Sequence, residues 1–135
     1  MKVLFDSNVL FAAFTTNGFC EKLVDDAADQ FEYVWSDSLR DELIESLSRK
    51  NKLGPATHAA LSAFYQLCQI VEPKPFSKQI CRDADDDVVL ATAIAANVQF
   101  IVSGDDDLLV LKNFEGISIL SPRQFFEWME QNFKS

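Results

Sequence analysis

Carboxylates gathered at three separate places in the chain are the residues best suited to chemistry. Seven of the 21 acidic residues fall in two short runs, at positions 83–87 and 105–107, and Asp6 stands alone between apolar segments. Closely spaced carboxylates oppose each other's ionisation. A hard cation such as Mg²⁺ or Mn²⁺, which prefers oxygen ligands, removes that cost. Because the chain has a single histidine, His58, metal-activated water attacking a phosphodiester is the chemistry that these residues favour.

The elements that must position these acids alternate between strands and helices. Short apolar runs predict strands at Lys2–Phe5, Glu32–Trp35, Gln99–Val102 and Gly116–Leu120. Helices are predicted over 9–14, 18–31, from 36 onward, and over 55–70, 86–97 and 121–133. Strands that are apolar on both faces and alternate with helices indicate a parallel sheet covered by helices. The predicted fold class is therefore α/β.

This topology brings the three groups of acids to one edge of the sheet. In an open parallel sheet, ligands bind beyond the carboxyl ends of the strands. Asp6 follows the first strand, Asp105 follows the strand that ends at Val102, and Asp86 begins the helix that leads into that strand. The sequence therefore predicts an acidic site at this edge.

Each acid taken singly also has a structural interpretation. An Asp before a helix is most often an N-cap, so Asp83 or Asp85 could cap the helix that follows, and Asp106 or Asp107 could be solvated loop residues. Asp6 differs because apolar runs flank it on both sides. Burying a lone carboxylate there is costly without a partner, so the group of acids indicates a site more strongly than its members do.

Length and composition bound the class of protein. The chain has 135 residues, 48% hydrophobic and 24% charged, which fits a single domain over 1–135. No apolar stretch approaches the roughly 18 residues that span a membrane, and four glycines leave no Gly-rich phosphate loop. Three cysteines, Cys20, Cys68 and Cys81, form no paired motif. This pattern is typical of a reducing compartment, so we expect a cytoplasmic protein.

Four segments, in order along the chain, resemble the motifs of one family. They are 3–10 (VLFDSNVL), 36–49 (SDSLRDELIESLSR), 83–93 (DADDDVVLATA) and 101–109 (IVSGDDDLL). These segments resemble the PIN domains, the fold of VapC-type toxin ribonucleases, and in particular the branch of that family described as toxin components. The resemblance implies a PIN-like three-layer α/β/α sandwich, with a central, mainly parallel sheet covered by helices.

Carried over residue by residue, the resemblance also implies an activity. The catalytic and metal-binding acids of the family fall on Asp6, Glu42, Asp86 and Asp105. Asn8 and Ser103 match its polar supporting positions. The implied reaction is Mg²⁺- or Mn²⁺-dependent cleavage of single-stranded RNA that leaves a 5′-phosphate and a 3′-hydroxyl. The implied partners are the RNA, a second copy of the chain in a homodimer, and a small antitoxin protein; no membrane is implied.

Two of these assignments leave neighbouring residues as alternatives. Asp86 and Asp87 are adjacent, so their side chains point about 100° apart on a helix. The family pattern favours Asp86, and Asp87 remains as the alternative or as a supporting residue. On the second helix Asp41, Glu42 and Glu45 compete. The family pattern favours Glu42, and its place on the flank of the apolar face, about 60° around the helix from Leu39, is a weaker argument for the same choice.

The charge and the last helix bear on the partners. A net charge of −9 is unusual for an RNA enzyme, because phosphate contacts usually need Lys and Arg. The basic cluster of Arg49, Lys50 and Lys52 either contacts the RNA backbone or complements a helix C-terminus. The last helix is rich in aromatic residues, which fits core packing with a surplus for a homodimer or an antitoxin segment.

Other functions fit parts of this pattern. A receiver domain would need two adjacent acids after the first strand, but Asp6 is followed by Ser7. A haloacid-dehalogenase-type phosphatase would need Asp-x-Asp there, and the third residue is Asn8. A catalytically silent PIN fold that binds protein or RNA is the remaining alternative, and the presence of all four acids favours an active nuclease.

Overall fold

A computed structural model describes residues 1–133, which form six strands and seven helices. The strands are β1 (Lys2–Phe5), β2 (Glu32–Trp35), β3 (Gln69–Ile70), β4 (Phe100–Val102), β5 (Asn113–Phe114) and β6 (Ile117–Leu120). The helices are α1 (Ser7–Thr15), α2 (Phe19–Ala27), α3 (Asp37–Arg49), α4 (Pro55–Leu67), α5 (Ala84–Ala96), α6 (Asp106–Leu109) and α7 (Pro122–Phe133). The predicted domain runs to residue 135, and residues 134 and 135 lie outside the described part.

The six strands form one sheet in the order β3-β2-β1-β4-β6-β5. Neighbouring strands are parallel, except that β5 pairs with β6 in the antiparallel sense. The predicted α/β class, with a mainly parallel sheet covered by helices, is confirmed. In the described part of the chain, none of the helices is long and apolar enough to cross a bilayer.

The two sides of the sheet are covered by different helices. On one side, the Phe64 ring of α4 packs against Tyr33 and Trp35 of β2, with ring centroids 5.1 and 5.2 Å apart. Phe125 of α7 packs edge-on against Phe5 of β1 on the same side. Successive strand residues face opposite sides of a sheet, and α5 packs against β2 and α3. The central strands are therefore buried on both faces, as their apolar sequences predict.

Besides α7, which follows Ser121, four described helices begin with a polar N-cap, and three of these four caps are aspartates. In each case the side chain accepts a hydrogen bond from a backbone N–H in the first turn, which would otherwise lack a partner. The capping residues are Asp6 for α1, Ser36 for α3, Asp83 for α5 and Asp105 for α6. The prediction that Asp83 or Asp85 caps the buried helix is thus confirmed for Asp83. Capping thus gives three of the acids, Asp6, Asp83 and Asp105, a structural role.

The elements that the sequence did not predict are short. Helix α4 ends at Leu67, and the two residues of β3 follow it at the edge of the sheet. One-turn helix α6 and two-residue strand β5 lie in a stretch with no clear period. The β5–β6 hairpin turns through Glu115 and Gly116, both with positive φ, at 51° and 82°. Such a pair suits a two-residue hairpin turn.

Candidate active site

Asp6 lies at the carboxyl end of β1, where the ends of two strands meet. Its backbone N–H donates to the carbonyl of Val102 at the end of β4, at 2.8 Å. Its carboxylate accepts hydrogen bonds from the Ser7 N–H and the Ser103 hydroxyl, both at 2.7 Å. Burial raises the pKa of Asp6, the two hydrogen bonds oppose that rise, and the charge of Asp105 adds to it. Asp6 is therefore a buried carboxylate whose ionised form a nearby cation would stabilise.

The hydroxyl of Ser103 connects Asp6 to the next acidic segment. Ser103 is fully buried. Its Oγ donates to Asp6 Oδ2 and accepts from the backbone N–H of Asp105 at 2.9 Å. One side chain thus fixes two of the candidate acids relative to each other.

We expect Ser103→Ala to destabilise the metal-free protein by about 1–3 kcal/mol, because it leaves a buried oxygen of Asp6 without its side-chain donor. Urea denaturation of the two proteins in EDTA measures this difference. Ser62→Ala, at an exposed position of α4, is the control and should change little. Equal unfolding midpoints for the two variants would contradict the bridging role.

Three carboxylates come together beside this bridge. One oxygen each from Asp86, Asp105 and Asp107 lies within 4.8 Å of the others, and we call this group the acidic trio. Asp86 is 6% exposed, and its Oδ2 is buried with no hydrogen-bond partner among the described residues. Burial, followed by the charge of Asp105 and a hydrogen bond to it, raises the pKa of Asp86 to about 7. A buried carboxylate that has one oxygen without a partner among the described residues, and two further carboxylates close by, is an arrangement that a cation would stabilise.

Glu42 lines a cleft beside Asp85, the residue that precedes Asp86 of the trio. It is half-buried on α3 and lines a cleft of about 390 Å³ together with Asn8 and Asp85. Burial, then the charges of Asp85 and Asp6, raises the pKa of Glu42 to about 7. Glu45, its competitor in the sequence, lines the same cleft but is exposed. The structure therefore brings Asp6 close to Asp105 of the trio. It places Glu42 in a neighbouring cleft, near enough for the charge of Asp6 to contribute to its raised pKa.

Asn8 links helix α1 to the loop after β4. Its Oδ1 accepts a hydrogen bond from the backbone N–H of Gly104 at 3.3 Å. The Asn8 side chain thus holds the loop that carries Asp105 against the start of α1. This contact is a supporting one, in keeping with the position that the family resemblance implied for Asn8.

The pair of adjacent acids in α5 divides between two tasks. Asp87 accepts hydrogen bonds from the backbone N–H groups of Ile80 and Cys81, at 2.9 and 2.7 Å. Desolvation raises the pKa of Asp87, but these hydrogen bonds outweigh it and lower the pKa below its usual value. Asp87 anchors the preceding loop, whereas Asp86 lies close to Asp105 and Asp107. The geometry therefore favours Asp86 as the metal ligand.

Asp107 is the residue that sequence reasoning missed. It was interpreted as a possible loop residue, yet its carboxylate belongs to the trio. The signal was the Asp105-x-Asp107 spacing: an aspartate that caps a helix is followed two residues later by one in the first turn. Asp107 also forms an ion pair with Arg82 at 2.8 Å.

In the metal-free protein, we expect the free energy of unfolding to fall as the pH rises from about 5 to 8. Asp86 and Glu42 have pKa values near 7 in the fold, against 3.8 and 4.5 as ordinary values. Between those limits the folded state binds more protons than the unfolded state, so stability decreases with pH. Urea midpoints measured in EDTA at pH 5, 6, 7 and 8 test this. The double variant Glu42→Gln with Asp86→Asn should flatten the slope, and a midpoint that rises with pH would contradict the expectation.

The donor set fits a hard divalent cation. Asp6, Asp86, Asp105 and Asp107 offer carboxylate oxygens only, whereas zinc and copper sites typically use nitrogen or sulfur. In the described part of the chain, Asp86 Oδ2 has no hydrogen-bond partner and is therefore free to bind a cation. Mg²⁺ and Mn²⁺ are the metals that such a set suits. Fold and site together define an α/β protein with an acidic centre at the carboxyl edge of a parallel sheet.

Comparisons with known proteins agree with this class. A family model for the PIN domain matches residues 2–107. A chain of VapBC2 from Rickettsia felis, in a crystal structure bound to a DNA fragment from their promoter, has a similar fold, with a TM-score of 0.62 and 16% identity. The match covers 90% of this chain and 98% of that one. No curated protein sequence matches this chain.

The chain belongs to the PIN domain family, since the family model covers residues 2–107 of its 135 residues. This confirms the resemblance seen in the sequence. The matched range contains all four acids that the resemblance implied, together with Asp107.

Proposed function

We propose that this protein is a metal-dependent endoribonuclease that cleaves single-stranded RNA and acts as the toxin of a toxin–antitoxin pair. The observation that carries this proposal is the buried Asp86 carboxylate, which lies close to Asp105 and Asp107 and has an oxygen without a partner within residues 1–133. Membership of the PIN family supports a nuclease as the general class. The substrate and the metal are inferred from the chemistry of the site.

The acids divide into those that hold a cation and one that handles a proton. Asp6, Asp86, Asp105 and Asp107 are the residues that would hold Mg²⁺ or Mn²⁺. When bound, such an ion neutralises phosphate charge and lowers the pKa of water at the site. Ser103 keeps Asp6 and Asp105 in place through hydrogen bonds of 2.7 and 2.9 Å.

Glu42 is suited to accept a proton from the attacking water. Its pKa of about 7 places its titration near neutral pH, where a carboxylate can act as a general base. Its cleft also contains Asp85, the neighbour of Asp86 in the chain, and this cleft leaves room for a substrate beside the acids. This role agrees with the position that the family pattern gives to Glu42.

The same cleft carries the positive charge that RNA needs. Arg49 and Lys50, at the end of α3, line it together with Glu42. The Lys50 ammonium lies 5.1 Å from the centre of the Phe11 ring, so its stem has an apolar surface to rest on. A phosphate backbone can approach from this basic side even though the whole chain has a net charge of −9.

Two observations support the proposed partners: the similar fold of a VapBC2 chain and the aromatic residues of α7. The neighbour with a similar fold is part of a VapBC2 complex, which supports an antitoxin partner for this chain. All four aromatic residues of α7 pack on the core: Phe125 is buried, and Phe126, Trp128 and Phe133 are partly buried against it. Their partly exposed edges suit a homodimer or an antitoxin contact. We propose a cytoplasmic location, where both partners and RNA would be met.

The test is cleavage of defined oligonucleotides by the purified protein. We expect Mn²⁺ or Mg²⁺ to support cleavage of single-stranded RNA, with 5′-phosphate and 3′-hydroxyl ends, and EDTA to stop it. Double-stranded RNA and single-stranded DNA of the same sequence are the controls. Metal-dependent RNA binding without any cleavage would contradict the proposal and favour a silent binding module.

A further inference from the structure

Arg82 places a guanidinium group directly beside the acidic trio. Its Nη2 lies 2.8 Å from Asp107 Oδ1. A carboxylate has two oxygens with several acceptor sites, so Asp107 can bind Arg82 and still face Asp86 and Asp105. The positively charged Arg82 side chain is therefore ion-paired with one member of the trio, Asp107.

The backbone that carries Arg82 is fixed by side-chain hydrogen bonds. Gln79 Nε2 donates to the carbonyls of Cys81 and Arg82, at 2.8 and 2.9 Å. Asp87 of α5 accepts from the N–H groups of Ile80 and Cys81. The two bonds to Asp87 join residues 80 and 81 to the first turn of the helix that supplies Asp86. The two bonds from Gln79 lie within the loop and shape its backbone at Cys81 and Arg82.

The ion pair itself contributes little to the stability of the fold. The Arg82 side chain is 86% exposed and that of Asp107 is 30% exposed, and exposed ion pairs typically contribute 0–1 kcal/mol. Since the fold gains little from this ion pair, the position of Arg82 beside the acidic trio is better explained by a role at the site. A planar guanidinium in water, beside a cation site, is suited to bind phosphate through two parallel hydrogen bonds.

We propose that Arg82 binds a phosphate group of the RNA backbone at the acidic centre and so positions the strand across it. Arg49 and Lys50 line the cleft that contains Glu42, and Arg82 pairs with Asp107 of the trio. The strand would then cross the centre between two basic flanks. This inference rests on the proposed function and adds a substrate-binding residue that the family motifs did not supply.

The experiment measures RNA binding in the absence of cleavage. A fluorescein-labelled single-stranded oligoribonucleotide is titrated with the Asp86→Asn protein, alone or with Arg82→Gln, Arg82→Lys or Lys22→Gln added, at four salt concentrations. Lys22 is the matched control because it is also an exposed cation paired with an acid, Asp26 at 3.1 Å, but lies on α2. Thermal unfolding of each variant checks that the fold is kept.

We expect Arg82→Gln to raise the Kd by about tenfold, since a charge-assisted hydrogen bond is lost. The slope of log K against log salt should become shallower by about 0.7, the value for one phosphate contact on a single strand. Arg82→Lys should keep the slope and lose part of the affinity, and Lys22→Gln should leave both unchanged. An unchanged Kd in Arg82→Gln, an equal loss in Lys22→Gln, or no binding by the protein with Arg82 intact would overturn the inference.

The failure of this inference differs from the failure of the proposed function. If the wild-type protein cleaves no RNA with Mn²⁺, the proposed function is wrong whatever Arg82 does. If the wild type cleaves RNA and Arg82→Gln has the same KM and kcat, only the role of Arg82 is wrong. We expect KM to rise and kcat to change less, because the contact acts on binding.

Discussion

Asp86→Asn abolishes metal-dependent RNA cleavage while it stabilises the metal-free protein: this is the largest effect that we expect of a single substitution. The change keeps the shape of the side chain and removes a charge from a buried carboxyl whose pKa is raised to about 7. Loss of a metal ligand should cost several kcal/mol of transition-state stabilisation, or about a thousandfold or more in rate. Cleavage of a labelled oligoribonucleotide in Mn²⁺ measures this loss.

The stability of the same variant separates a functional residue from a structural one. Removing one charge from the trio relieves its repulsion of Asp105, so Asp86→Asn should unfold at a higher temperature than the wild type in EDTA at pH 8. Asp106→Asn is the control, because Asp106 is exposed and lies outside the trio; it should retain activity. Loss of activity together with lower stability would instead indicate that Asp86 only maintains the fold.

The second large effect concerns the metal itself. We expect saturating Mn²⁺ to raise the Tm of the wild-type protein substantially, because a ligand at a hundred times its Kd adds about 2.7 kcal/mol to the free energy of unfolding. For a domain of this size that is roughly 8–16 °C, at about 3–6 °C per kcal/mol. Differential scanning calorimetry at pH 7.5, with Mn²⁺ or with EDTA, measures the shift.

Two variants test whether the Mn²⁺-dependent shift in Tm comes from an ion bound at Asp86. Asp86→Asn should show little or no Mn²⁺-dependent shift, and Asp106→Asn should show the full shift. Mg²⁺ should act in the same direction as Mn²⁺ and Ca²⁺ less strongly, since a small site of this kind favours the smaller ions. An equal shift in wild type and Asp86→Asn would mean that the ion binds elsewhere.

Much of the fold could be predicted from the sequence because its central strands and long helices have strong patterns. β1 and β2 have the predicted bounds, Lys2–Phe5 and Glu32–Trp35, because each is a short apolar run next to a polar cap. The final helix was predicted from Ser121 and Pro122, and these residues do begin it. Ser121 and Gln124 exchange hydrogen bonds with each other's backbone N–H, at 2.9 and 3.1 Å, as in a capping box.

The short elements could not be predicted, for a physical reason. β3 and β5 have two residues each and α6 has four, which is too few to show a period. The two strands exist because neighbouring strands offer backbone hydrogen bonds at the two edges of the sheet, and α6 follows the Asp105 cap. Their cause is tertiary, so it is invisible in a local pattern.

At the site, the sequence indicated which acids could meet but not how each would be used. The order of strands explains why Asp6 and Asp105 approach each other, since both follow parallel neighbours. The choice between Asp86 and Asp87 depends on the preceding loop, because the N–H groups of Ile80 and Cys81 donate to the Asp87 carboxylate. Asp107 entered the trio through helix α6, which the sequence did not reveal. The roles proposed for all of these acids stay predictions.

A divalent cation held by Asp86 and its neighbours is the central claim, and anomalous X-ray scattering from crystals grown in Mn²⁺ tests it most directly. We expect one strong manganese peak within coordination distance of Asp86 Oδ2, with further oxygens from Asp105 or Asp107 and from Asp6. The same crystals of Asp86→Asn should lack that peak. Manganese bound only at other surface acids, with Asp86 Oδ2 still without a partner, would contradict the account.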